Sequence, residues 1–141
     1  MVDKDLVLLK VGRFEKYLDR VRVKSDTDLN TFRTELDRQE ITIFNLLQAI
    51  QICIDIAAHI VSEEGYGVPG STSEMFYFLE DNGIVEKALT EKMVRAIGFR
   101  NLIAHEYEKI DVERVFRTAR ENTQDLVVFI QAVLKRLGIA G

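Results

Sequence analysis

An all-α fold, an antiparallel bundle of four long helices plus a short one, is what this sequence predicts. Three observations lead there. Apolar residues recur at helical steps of three and four over long stretches. Cap and stop signals punctuate those stretches. Strand signals are nearly absent, and a single proline, Pro69, interrupts the chain.

The first helix is read from Val7, Val11, Phe14, Leu18 and Val21, which form one apolar stripe. The polar stretch "KSDTD" that follows reads as a loop. In "DRQE", Asp37 and Glu40 match a capping box, with Leu36 and Ile41 placed as a hydrophobic staple. The helix they open is expected to run to about Ser62. It is mostly apolar, and Asn45, Gln48, Asp55 and His59 form a narrow polar stripe along it. Such a stripe either lines a cleft or faces solvent. "EEGYGVPGS" is a turn-rich loop. Ser71, with Glu74 three residues on, opens a short helix that ends at "DNG". Thr90 is the expected cap of the helix holding "EKMVRAIGFRNLIAHEY". Asp111 opens the last helix, whose stripe runs from Val112, Val115, Phe116 and Ala119 through Leu126, Ile130, Val133, Leu134 and Leu137. Gly138 stops it.

A chain of 141 residues fits one domain, residues 1–141. Its composition, 47% apolar and 30% charged, is that of a soluble globular protein. Cys53 is the lone cysteine, which excludes an intrachain disulfide, and its apolar surroundings predict a small packed hydrophobe. A reducing, cytoplasmic location fits. The N-terminus starts acidic and shows no apolar core of a signal peptide. The apolar region 41–61 carries several polar side chains that lipid would penalise, so it reads as a buried helix rather than a membrane span. The net charge of −4 argues against a protein that coats nucleic acid generally. The charge is uneven: residues 1–84 carry 9 basic and 15 acidic side chains, whereas residues 85–120 carry 8 and 6. A local phosphate-binding cleft is compatible with that second, mildly basic stretch.

Within it lies "RNLIAHEY", residues 100–107. Arg100 and His105 are about 140° apart on an ideal helix, whereas Asn101 and His105 share a face. A second copy of the helix, related by a two-fold axis, would gather two arginines and two histidines around one groove. That pairing suits RNA phosphodiester chemistry. Imidazole can take the 2′-hydroxyl proton or protonate the leaving oxygen, and guanidinium can hold the phosphate. The sequence shows no metal-ligand spacing, glycine-rich phosphate loop or nucleophile elbow, so neither metal nor cofactor is expected. By spacing alone, Arg100 and His105 are ordinary surface or interface residues, Tyr107 is a packing residue and His59 is a satisfied histidine. Asp55, a carboxylate in so apolar a helix, wants a partner.

The motif resembles the signature of HEPN-domain ribonucleases: an arginine, a polar residue, then a histidine a few positions on. The extension His-x-Tyr, with Glu106 between His105 and Tyr107, is similar to the HepT toxins of HEPN/MNT toxin–antitoxin pairs. "LLQAIQICIDIAAHIVSEEGYGVPGSTSEMFYFLEDNGIV" resembles that family's central helix, glycine–proline loop and short helix. The resemblance implies a homodimeric, metal-independent endoribonuclease acting on RNA. Arg100 and His105 match the catalytic pair and Asn101 the polar position beside it; apart from the resemblance, the unusual carboxylate Asp55 is a candidate supporting residue. Tyr107 matches the tyrosine to which an MNT-type nucleotidyltransferase antitoxin transfers AMP. A rival reading of another class remains: a non-catalytic helical module that binds, and is modified by, a nucleotidyltransferase.

Overall fold

The computed structural model describes residues 1–139. The helices are α1 (Lys4–Ser25), α2 (Leu29–Thr34), α3 (Leu36–Glu64), α4 (Thr72–Asp81), α5 (Lys87–His105), α6 (Val112–Arg117) and α7 (Thr123–Arg136). A 3₁₀ turn, Tyr107–Lys109, follows α5, and a π-helical turn, Thr118–Asn122, joins α6 to α7 without a break. The four long rods are therefore α1, α3, α5 and the α6–α7 composite, with α4 as the short helix. Among the described residues there is no strand.

α1 lies antiparallel along α3. The Met1 amino group meets Glu63, Lys10 meets Asp55, and Arg38 donates to the Lys24 carbonyl, so the partners run in opposite directions. The predicted stripe of α1 is buried at all five positions. α3 is the central helix. It is long and apolar enough to cross a membrane by length and composition, but most of its apolar stretch is buried inside the bundle. One hydrophobic cluster joins all the long helices, with Phe32, Phe76 and Phe129 wholly enclosed. Phe76 and Phe129 tie α4 to α7 at 5.3 Å between ring centres, and Phe32 and Phe116 tie α2 to α6 at 5.2 Å.

Several caps follow the sequence. Ser71 accepts from the Glu74 backbone N–H at 3.2 Å, Asp111 accepts from that of Glu113 at 3.0 Å, and Gly138 adopts φ +70°. Others differ. α2 had no sequence counterpart. Asp28 caps it, accepting from the Thr31 N–H at 2.7 Å. The chain then turns into α3 through Glu35 alone, which ends one helix and begins the next. Asp37 thus falls inside the first turn of α3 instead of capping it, and Leu36 is exposed instead of stapling. Thr90 is not a cap either. α5 begins four residues earlier, after Glu86, and the buried Thr90 hydroxyl donates to the Glu86 carbonyl at 3.3 Å.

Candidate functional site

Helix α5 presents Arg100 toward α3, and the packing of the two helices determines what the guanidinium meets. One terminal nitrogen, Nη2, donates to Gln51 Oε1 at 3.1 Å; the other, Nη1, donates to Asn101 Oδ1 at 2.7 Å. Gln51 is in turn held by Asp55, one helical turn on. Its Nε2 donates to Asp55 Oδ1 at 2.9 Å, and the other carboxylate oxygen faces Lys10 Nζ at 3.6 Å. A polar chain thus runs Lys10, Asp55, Gln51, Arg100, Asn101 across α1, α3 and α5. Each terminal nitrogen of Arg100 has one N–H without an acceptor among the described residues. Its Nε is shielded from solvent and has no acceptor among the described residues.

The stripe on α3 therefore has a divided fate. Asp55 has the partners that a carboxylate in an apolar helix requires. Asn45 is buried and donates to the Ile41 carbonyl at 2.7 Å. His59 accepts the Asp3 backbone N–H at 3.0 Å, which places its proton on Nδ1 and makes it a structural group at the start of α1. Gln51 was not singled out from the sequence. Its signal was its spacing of four from Asp55 on an otherwise apolar helix, a polar pair sharing one face.

His105 is the last residue of α5 and is exposed; Asn101, four residues earlier, is exposed as well. No hydrogen bond joins Arg100 to His105 among the described residues, as their angular separation on the helix predicted. Tyr107 begins the 3₁₀ turn and is 52% exposed, so its hydroxyl can be approached from solvent; an ion pair between Glu106 and Lys109, 3.8 Å, closes that turn. Within one protomer the structure thus holds the arginine firmly and leaves the imidazole and the phenol on the surface at the helix end. Cys53 is fully buried, and the apolar environment pushes its thiol pKa up, so it takes no part in surface chemistry. Among the described residues no cluster of three or more His, Cys, Asp or Glu side chains is placed to hold a metal.

Residues 14–133 match the family model described as Ribonuclease HepT-like. The chain is 25% identical over 129 residues to the mRNA nuclease HepT of Shewanella oneidensis, covering 92% of this chain and 96% of that one. It is 29% identical over 119 residues to the tRNA nuclease HepT of Aphanizomenon flos-aquae, covering 84% and 80% respectively. The fold superposes with a TM-score of 0.86 on a solved structure of the tri-AMPylated Shewanella oneidensis HEPN toxin in complex with an MNT antitoxin, at 24% identity, over 93% of this chain and 98% of the other.

Proposed function

The chain belongs to the HepT-like ribonuclease family, and on that premise we propose that it is a metal-independent endoribonuclease toxin acting as a homodimer in the cytoplasm. The observation that carries the reading is the state of Arg100. It is a half-buried guanidinium, oriented by Gln51 and Asn101, with two N–H donors left over, on the helix whose exposed end bears His105. Two donors on one guanidinium can meet two phosphate oxygens. His105 takes the proton of a ribose 2′-hydroxyl, and the 2′-oxygen bonds to phosphorus as the bond to the 5′-oxygen breaks. A second His105, brought by a two-fold axis, protonates the leaving oxygen. The products are a 2′,3′-cyclic phosphate and a free 5′-hydroxyl. Arg100 holds the phosphate and stabilises the charge that builds on its oxygens. Asn101 orients Arg100, and Asp55 supports it at one remove through Gln51.

Tyr107 is the off switch in this reading. Its phenolic oxygen attacks the α-phosphorus of ATP on an MNT-type nucleotidyltransferase antitoxin, pyrophosphate leaves, and the phenolic proton goes to a base of the transferase. The AMP then sets an anionic phosphate and a bulky base two residues from His105, where it competes with RNA for Arg100. The accessible phenol supports this.

Purified protein that has not met the transferase is expected to cleave RNA in the presence of a chelator, and His105→Ala and Arg100→Ala to abolish cleavage. Equal cleavage by wild type and His105→Ala overturns the assignment. Co-expression with the transferase is expected to add mass in AMP steps that Tyr107→Phe removes. The separation of Arg100 from His105 within one protomer favours a second reading, in which the chain is a non-catalytic module that binds the transferase and is its substrate. Growth arrest on expression alone, lost in Arg100→Ala, decides for the toxin.

A further inference from the structure

A cavity of about 370 Å³ lies between α3, α5 and the α6–α7 rod, apart from the polar chain around Arg100. Its floor is apolar, built from Ile50, Phe99 and Leu126. Its rim is cationic: Arg95, Arg114 and Arg117 are exposed and have no carboxylate within 4 Å among the described residues. Arg114 lies over the face of Phe99 at 5.5 Å, which fixes its guanidinium at the mouth. The fourth cation, Lys92, is already matched by Asp125 at 3.7 Å. Glu121 is the one acidic side chain there without a cation partner among the described residues.

The π turn forms one wall: Thr118, Glu121 and Asn122, all within it, line the cavity. Three unmatched guanidinium groups around an apolar floor are stable only as long as water covers them, and they form a ready site for an anion attached to a flat apolar group. A nucleotide has that chemistry, with the phosphate for the arginine forks, the base for the floor, and base or ribose donors for Asn122 and Glu121. Ile50 and Phe99 immediately precede Gln51 and Arg100 in the chain, so the cavity and the Arg100 chain lie on faces of α3 and α5 about 100° apart.

We propose that this cavity binds one nucleotide of the RNA strand, its phosphate held by Arg95, Arg114 and Arg117. This rests on the ribonuclease reading above. The probe is a short labelled 2′-O-methyl oligoribonucleotide, which keeps the phosphates and bases but cannot cleave itself, titrated into the full-length protein by fluorescence anisotropy at several salt concentrations. Arg114→Ala/Arg117→Ala is expected to weaken binding about ten-fold and to lower the salt slope by about 0.7, the loss of one phosphate contact on a single strand. Arg95→Ala/Arg117→Ala leaves the Arg114–Phe99 contact intact and is expected to act alike, which guards against a folding artefact. Arg13→Ala/Arg20→Ala, the same charge removed from α1, is expected to change binding less than two-fold. Equal affinity of both rim variants and wild type overturns the proposal. AMP binding that the rim variants lose, with oligomer affinity unchanged, overturns the RNA assignment in favour of a free nucleotide. Loss of affinity for the nucleotidyltransferase instead of RNA overturns it in favour of a protein interface. Since the probe is not cleaved, a protein that binds through these arginines and never cuts RNA leaves the cavity assignment standing while the nuclease reading fails.

Discussion

Replacing Gln51 by leucine separates the position of Arg100 from its charge. The substitution removes the acceptor that Nη2 of Arg100 reaches at 3.1 Å, along with the donor that Asp55 receives at 2.9 Å, and leaves the arginine itself in place. A hydrogen bond to a charged group contributes about 1.5–3 kcal/mol, and the half-buried setting of this one points to the lower end. If the bond serves to hold the guanidinium where a phosphate must arrive, about 1.4 kcal/mol of lost positioning lowers kcat/KM about ten-fold. The fold pays less, since leucine suits the apolar neighbours of α3, Asp55 keeps Lys10 at 3.6 Å, and Arg100 retains water access. The thermal midpoint is expected to move by no more than about 3 °C. The assay is the initial rate of RNA cleavage with a chelator present, beside a melting curve for each variant. Gln51→Glu supplies an acceptor again but sets a carboxylate beside the phosphate site and opposite Asp55. Its expected signature is a raised KM with a smaller change in kcat. A Gln51→Leu protein with wild-type kcat/KM and an unchanged midpoint refutes the reasoning: Arg100 would then need no anchor on α3.

Three further outcomes follow from the structure. Hydrogen bonding from the Thr31 backbone holds the Asp28 carboxyl below its ordinary 3.8. A depressed carboxyl stabilises above its unfolded pKa and loses that contribution as pH falls through the folded value. The difference in midpoint between wild type and Asp28→Asn is therefore expected to be constant above pH ~5 and to close below pH ~4; a gap independent of pH counts against the cap. Cys53, buried and with its thiol pKa pushed up, is expected to react with a thiol-specific disulfide reagent only at the rate of unfolding, and fast labelling of native protein at pH 8 contradicts its burial. Phe129→Ala empties a fully enclosed site against Phe76 and is expected to cost about 3–5 kcal/mol in denaturant unfolding, whereas a loss below 1 kcal/mol refutes its place in the core.

The parts of this molecule that could be read from sequence are those that repeat along it. The stripe of α1, the apolar length of α3 and the glycine stop at Gly138 each depend on residues a few positions apart, and each stands in the fold. Errors arose where a local signal had a second meaning. A threonine near a helix start suits a cap. It suits equally well a buried hydroxyl bonded back to a carbonyl, and Thr90 is the latter because tertiary packing extends α5 by four residues. Asp37 looked like a cap for want of α2, whose six residues are too short to show a period and which needs Phe32 against Phe116, a contact far along the chain, to persist. The π turn escaped for the opposite reason. The apolar stripe continues across it, with the buried Thr123 bonded to the Ala119 carbonyl at 3.2 Å, so the pattern alone showed one uninterrupted helix.

The site divides in the same way. "RNLIAHEY" is local, and its residue types suit phosphate chemistry, but its resemblance to the HEPN signature is what singled it out, while the groups that orient Arg100 come from elsewhere: Gln51 is 49 positions away, and Lys10 lies on a third helix. A guanidinium on a lone helix would sweep a wide arc. Tied to Gln51 and Asn101, it is presented in one direction, so the phosphate contact proposed for it would carry a small entropic cost. His105 has no such anchor. It stands exposed where α5 ends, and its position for chemistry depends on what closes over that end. On the proposed homodimer reading, the arginine is prepared by the fold of one chain and the histidine by assembly. A dimer-breaking change is therefore expected to raise the KM for RNA little and to remove nearly all of kcat. A monomeric variant that keeps its kcat would show that one α5 carries the whole reaction, and the two-fold groove would lose its purpose.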